Sequence, residues 1–69
     1  MTKREILQYS EKVIDRQTMD EIRRSDDVKV IRDNGMAGKH IGKRWYVVVF
    51  KSGHGINVYC TKTKINKEA

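Results

Sequence analysis

Apolar side chains in the first fourteen residues recur at three- and four-residue spacing. Ile6, Tyr9 and Val13, with Leu7 and Ile14, fall on one face of a helix. "TKRE" at 2–5 has the form of a capping box, with Thr2 placed to accept from the backbone three residues on and Glu5 to reach back. The spacing predicts a helix from about Lys3 to about Asp15. "TMDE" at 18–21 repeats the box, while Met19 and Ile22 lie off the first stripe. A break near Arg16–Gln17 and a short second helix at about 19–24 follow from this. Asp20 and Glu21 suit the positive end of that helix, and Arg23 and Arg24 suit its negative end. A single bent helix is the alternative.

From residue 28 the pattern changes to a period of two. "SDD" at 25–27 is a turn, and "VKVIRDNG" at 28–35 reads as a strand ending on the Asn34-Gly35 turn dipeptide. "MAGKHIG" at 36–42 is a glycine loop. "KRWYVVVF" is the clearest strand, "KSGHG" a turn, and "INVYCTKT" the returning strand. The order helix, helix, strand, strand, strand predicts an α+β fold. In it, an N-terminal helix, continuous or broken in two, packs on a three-stranded antiparallel sheet. The chain has no proline and no repeat. It reads as one small domain over 1–69, with a helical part at 1–25, a sheet at 28–64 and a frayed charged tail at 65–69.

Alternation sorts the hairpin side chains. With the turn centred on Gly53-His54, Val49 lies opposite Val58 and Val47 opposite Cys60. One face is then aliphatic, with Val47, Val49, Ile56, Val58 and Cys60 under the helices. The other carries Tyr46, Val48, Phe50 and Tyr59. A register slip of one residue exchanges these sets.

Charge adds a direction. Residues 1–33 hold eight Lys/Arg and eight Asp/Glu, whereas residues 34–69 hold seven and one, so the net charge of +6 lies wholly in the second half. Such asymmetry points to an anionic partner. An aromatic sheet face beside lysines is a nucleic-acid platform, since rings stack on bases and cations neutralise phosphates. Lys39, Lys43, Arg44, Lys51, Lys62 and Lys64 are the candidate phosphate contacts, and Tyr46, Phe50 and Tyr59 the candidate stacking residues. The competing expectation is that a second copy covers that face in a homodimer, because a chain this short buries little core.

Other chemistries find little support. Cys60 is the one cysteine and forms no internal disulfide, and His40, His54 and Cys60 do not make a zinc-ligand set, so no metal or cofactor is expected. The glycines of "DNGMAGKHIGKR" suit close approach to a phosphate, but their spacing is not that of a Walker loop. His40 and His54 are the obvious general bases, and the basic half offers them almost no carboxylate. Cys60, mid-strand among apolar neighbours, reads as a buried structural thiol. No signal peptide or membrane span is evident, and with a lone thiol the expected compartment is the cytoplasm.

The run "GKRWYVVVFKSGHGINVYCTKTK" is similar to the three-stranded DNA-reading sheets of the integrase arm-binding type, with Trp45 and Gly53 at the matching positions. In those domains a helix follows the sheet, whereas here the helix comes first. The order of a helix and then three strands also resembles the double-stranded-RNA-binding fold. That fold includes toxin ribonucleases of the HicA type, and His40 in "GKH" would be the equivalent of their histidine. Both are analogies of fold and supply no site. The charge and the aromatic face point to a nucleic-acid partner, DNA ahead of RNA, bound through the C-terminal hairpin half. The compactness and lack of an enzyme constellation fit a small regulator of phage or mobile-element type. The alternative is a protein-interaction module or inhibitor that binds an acidic host protein. Neither reading requires an enzyme; a ribonuclease using His40 is a third, minor expectation.

Overall fold

The structure, a computed structural model, describes residues 1–65. The chain runs α1 (Lys3–Leu7), β1 (Lys12–Val13), α2 (Arg16–Arg23), β2 (Val28–Met36), β3 (Arg44–Phe50) and β4 (Gly55–Cys60). The fold is α+β, but the sheet has four strands in the order β1-β4-β3-β2. It is mixed, because β1 lies parallel to β4 while the other two pairs are antiparallel.

The Thr2–Glu5 capping box forms as its sequence suggests, with the Glu5 N–H donating to Thr2 Oγ1 at 3.3 Å and the Thr2 N–H donating to Glu5 Oε1 at 2.9 Å. The helix does not reach Asp15. It ends after Leu7, and Glu11 then takes φ +64°, a left-handed conformation that no helix interior tolerates. The next residues pair with β4: the Glu11 N–H donates to Asn57 O at 2.7 Å, and the Ile14 N–H to Tyr59 O at 2.8 Å. Pairing turns Ile14 into the core and leaves Val13 exposed. The second helix starts earlier than Met19, because Asp15 and not Thr18 is its cap. The Thr18 N–H donates to Asp15 Oδ1 at 2.7 Å, and hydrogen bonding from the Thr18 side chain and then from this N–H holds the Asp15 carboxyl below its ordinary pKa.

In β2, Asn34-Gly35 is not a turn. The strand runs on to Met36 through a bulge, with Gly35 at φ +94° and its N–H donating to Asp33 Oδ1 at 2.9 Å. A second irregularity around Lys29 lets Val28 and Ile31 both face inward although they are three residues apart.

The β3–β4 turn decides which side chains form the core. The Gly53 N–H donates to Phe50 O at 2.9 Å and the Phe50 N–H to His54 O at 2.8 Å, closing a three-residue loop with Gly53 at φ +94°. Val49 therefore lies opposite Gly55, three residues from the expected Val58. Three is odd, so β3 is turned over relative to the expected pairing. Tyr46, Val48 and Phe50 join Ile56, Val58 and Cys60 on the inner face, against Ile6 of α1 and Met19 and Ile22 of α2. Val47 and Val49, expected in the core, lie on the outer face.

Ile65 also packs into this core, so the chain after β4 is not frayed there; the rest of the expected tail, residues 66–69, lies outside the described residues. Burial pushes the Cys60 thiol and the Tyr46 phenol above their ordinary pKa values, which keeps both neutral inside the core. No helix among the described residues is long and apolar enough to cross a membrane.

Candidate nucleic-acid interface

Both helices pack on one face of the sheet; among the described residues the other face carries no helix, and the 37–43 loop covers part of it. Register and alternation assign that outer face: Val30 and Arg32 from β2, Trp45, Val47 and Val49 from β3, Asn57 and Tyr59 from β4, and Val13 from β1. Val30, Val47 and Val49 are half-buried by one another, and Arg32 is exposed.

Two of the three expected stacking residues are not on this face. Tyr46 and Phe50 are fully buried beneath the helices. The Tyr46 hydroxyl accepts from the Thr63 N–H at 3.2 Å, and the Lys3 ammonium lies 5.5 Å from the centre of the Phe50 ring. The expected Tyr46/Phe50/Tyr59 face therefore does not exist, because the three-residue displacement sends Tyr46 and Phe50 to the side opposite Tyr59.

Tyr59 is on the outer face but only 6% exposed. The loop at 37–43 folds over it. The His40 ring sits 4.6 Å from the Tyr59 ring at a 49° tilt, and Lys39 Nζ lies 5.5 Å from the ring centre. The Tyr59 hydroxyl donates to Glu11 Oε1 at 3.4 Å, and Lys39 Nζ is 3.9 Å from the same oxygen.

Trp45 is the aromatic this face presents. It lies directly opposite Tyr59 and is 37% exposed. Its indole N–H donates to Asn57 Oδ1 at 2.8 Å, and Asn57 Nδ2 donates to Glu11 Oε2 at 2.7 Å. The alternation in "RWYVVVF" already sets Trp45 apart from Tyr46 and Phe50; only the correct register shows that its side is the open one.

The expected cations divide into three groups. Lys39, Lys43, Lys62 and Lys64 lie at one end of the sheet, where the 37–43 loop meets the chain leaving β4. Lys43 Nζ donates to Thr61 Oγ1 at 3.1 Å, extending the Trp45–Tyr59 row by one position. Arg44 faces the other side, where its Nε donates to Asp33 Oδ2 at 2.8 Å and Oδ1 at 3.1 Å, so its charge is matched. Burial acts to raise the Asp33 pKa but is outweighed by the Arg44 hydrogen bond, the Gly35 N–H and the Arg44 and Lys62 charges, which hold it below the ordinary value. Lys51 sits in the β3–β4 turn, a strand length of about 20 Å from the others at roughly 3.3 Å per residue.

The 37–43 loop has its own apex. The Ala37 N–H donates to Lys43 O at 2.9 Å and the Lys43 N–H to His40 O at 3.1 Å, with Gly42 at φ +79°. A positive φ at the third residue, with Ile41 before it in an ordinary conformation, defines a type II turn. Ile41 stands on it 99% exposed, and Met36 beside the loop is 64% exposed.

Among the described residues no group of three or more His, Cys, Asp or Glu is placed to hold a metal ion. Nor does a helix follow β4 among them, as the DNA-reading sheets and the double-stranded-RNA-binding fold would both require. No family model, curated protein or solved structure matches the chain.

Proposed function

We propose that this protein is a nucleic-acid-binding module whose contact surface is the uncovered sheet face together with the cation-bearing end beside it. The observation that carries the reading is the meeting there of Lys39 and Lys43 with an exposed tryptophan, in a chain whose whole net charge of +6 falls in residues 34–69. Phosphate neutralisation supplies affinity, and the sheet supplies a surface for bases or sugars. A lone buried thiol suits a reducing compartment, and the cytoplasm is the proposed site of action.

Anisotropy titrations of labelled DNA and RNA across a salt series test this. The logarithm of affinity is expected to fall linearly with the logarithm of salt, by about 0.9 per phosphate neutralised on a duplex and about 0.7 on a single strand. Absence of binding to every oligonucleotide at low salt would overturn it.

A second reading, an acidic protein partner, draws support from Ile41, an aliphatic side chain fully exposed on a hydrogen-bonded turn between Lys39 and Lys43. A complex that survives nuclease treatment and is weakened by Ile41→Ser would favour it.

A further inference from the structure

We infer that Trp45 is a preformed stacking platform for an unpaired base, and that the nucleic acid taken by this face is single-stranded. The inference rests on the nucleic-acid reading above and names its substrate class.

The indole does not stand free of the sheet. Its N–H reaches Asn57, which lies opposite Val47 and so diagonally across from Trp45. That bond ties the indole to β4, while the residue stays partly open to solvent. Asn57 is held in turn by Glu11. The ring is thus fixed by two successive hydrogen bonds of 2.8 and 2.7 Å, and little side-chain freedom is left to lose when a base lands on it.

Glu11 gives independent support. Among the described residues it alone, other than glycine, has a positive φ. A side chain in this region is disfavoured, and such outliers persist only where the surroundings impose them. The strained backbone here brings a carboxylate from the N-terminal segment onto the β4 face. There it accepts from Asn57 and Tyr59 and lies beside Lys39. Glu11 is a positioning residue for Trp45, acting through Asn57.

Charge selects the occupant. Lys43 lies one position along the same face from Trp45, Arg32 borders it across Val47, and Lys39 rides over Tyr59. The carboxylate on this face, Glu11, accepts from Asn57 and Tyr59 and offsets the Lys39 charge, so the excess on the face comes from Lys43 and Arg32. A polyanion gains from this arrangement, whereas a second copy of the chain would set like charges against each other. A duplex hides the faces of its bases inside the stack, so a flat ring on a sheet can be used only by a base that is unpaired.

Trp45 is the single tryptophan, so its emission reports on the platform directly. The whole chain is titrated with oligothymidylate, with oligouridylate and with a hairpin duplex, each of about twelve nucleotides, a length within the range such sites cover. Quenching by the single strands and none by the duplex is expected. Trp45→Ala should weaken single-strand binding by roughly tenfold to a hundredfold, and Trp45→Phe should retain most of it. Asn57→Ala should bind less tightly with a circular-dichroism melt close to that of the parent. Binding seen by anisotropy with unchanged Trp45 emission, and equal affinity for Trp45→Ala, would overturn the platform while leaving the nucleic-acid reading intact. Binding to no oligonucleotide would overturn both. A change of emission with protein concentration alone, accompanied by dimer mass in light scattering, would assign the face to a second copy and overturn the inference.

Discussion

Trp45 and Tyr59 stand directly opposite each other on β3 and β4, yet one ring is covered and the other is open. His40 and Lys39 lie over Tyr59, and among the described residues no ring or cation is placed over Trp45 in the same way. The 37–43 loop accounts for the difference, because its hydrogen bonds to Lys43 direct it back over β4. The face therefore presents an anchored indole with cations on its borders, and the consequences can be measured.

Phe50 and Tyr46 should matter to stability and not to binding. Phe50→Ala is expected to cost about 3–5 kcal/mol, much of what a chain this short possesses. Phe50→Leu is the workable variant, costing about 1–1.5 kcal/mol with nucleic-acid affinity unchanged per folded molecule. Tyr46→Phe removes the acceptor of the Thr63 N–H and should cost about 1 kcal/mol. Urea melts and anisotropy on the same samples check both.

The Lys51 charge should contribute little. Lys62→Gln and Lys64→Gln are each expected to shrink the salt slope by about 0.7 on a single strand. Lys51→Gln, at the far end of β3, should leave the slope unchanged. Equal effects at the two ends would mean that the contact surface is not the one described.

Acid stability should depend on Asp33. Its folded pKa lies below the ordinary 3.8, so below that pH the unfolded chain binds the proton more readily. Its contribution is complete above the unfolded value and is lost as pH falls through the folded one. Asp33→Asn should make the acid limb of urea stability against pH shallower. Asp15 and Glu5, lowered by Thr18 and Thr2 hydrogen bonds, keep part of the slope. Cys60 and Tyr46 act at the other limb. Their raised pKa values leave stability complete below the ordinary 9.0 and 10.0, and it is lost as pH rises beyond those values.

Gly53→Ala isolates the turn. An added Cβ meets nothing within 4 Å, so the cost is that of φ +94° alone, about 1–2 kcal/mol. A thermal melt measures it.

Ile41→Ser should change stability by less than about 0.5 kcal/mol, because a side chain 99% exposed contributes no burial. A larger loss in a urea melt would show that the loop apex is packed in solution.

Local rules account for what was legible in advance. The Thr2–Glu5 box, the 37–43 loop, the strands around Val47 and Val58, and the common side of Ile56, Val58 and Cys60 follow from spacing and turn chemistry within a few residues. The concentration of charge in residues 34–69 is a property of the sequence alone. The tertiary structure decided the rest. Side chains alternate with a period of two, so the length of the turn at Lys51–Gly53 determines which half of β3 faces the helices, and a displacement of three residues exchanges Tyr46 and Phe50 for Trp45. The two-residue strand at Lys12–Val13 has no pattern of its own. It exists because the free edge of β4 offers backbone partners to a segment some 46 residues away in the chain, and that pairing carries Glu11 to Asn57. Whether an aromatic residue is core or surface here is a matter of register, which depends on how the strands meet.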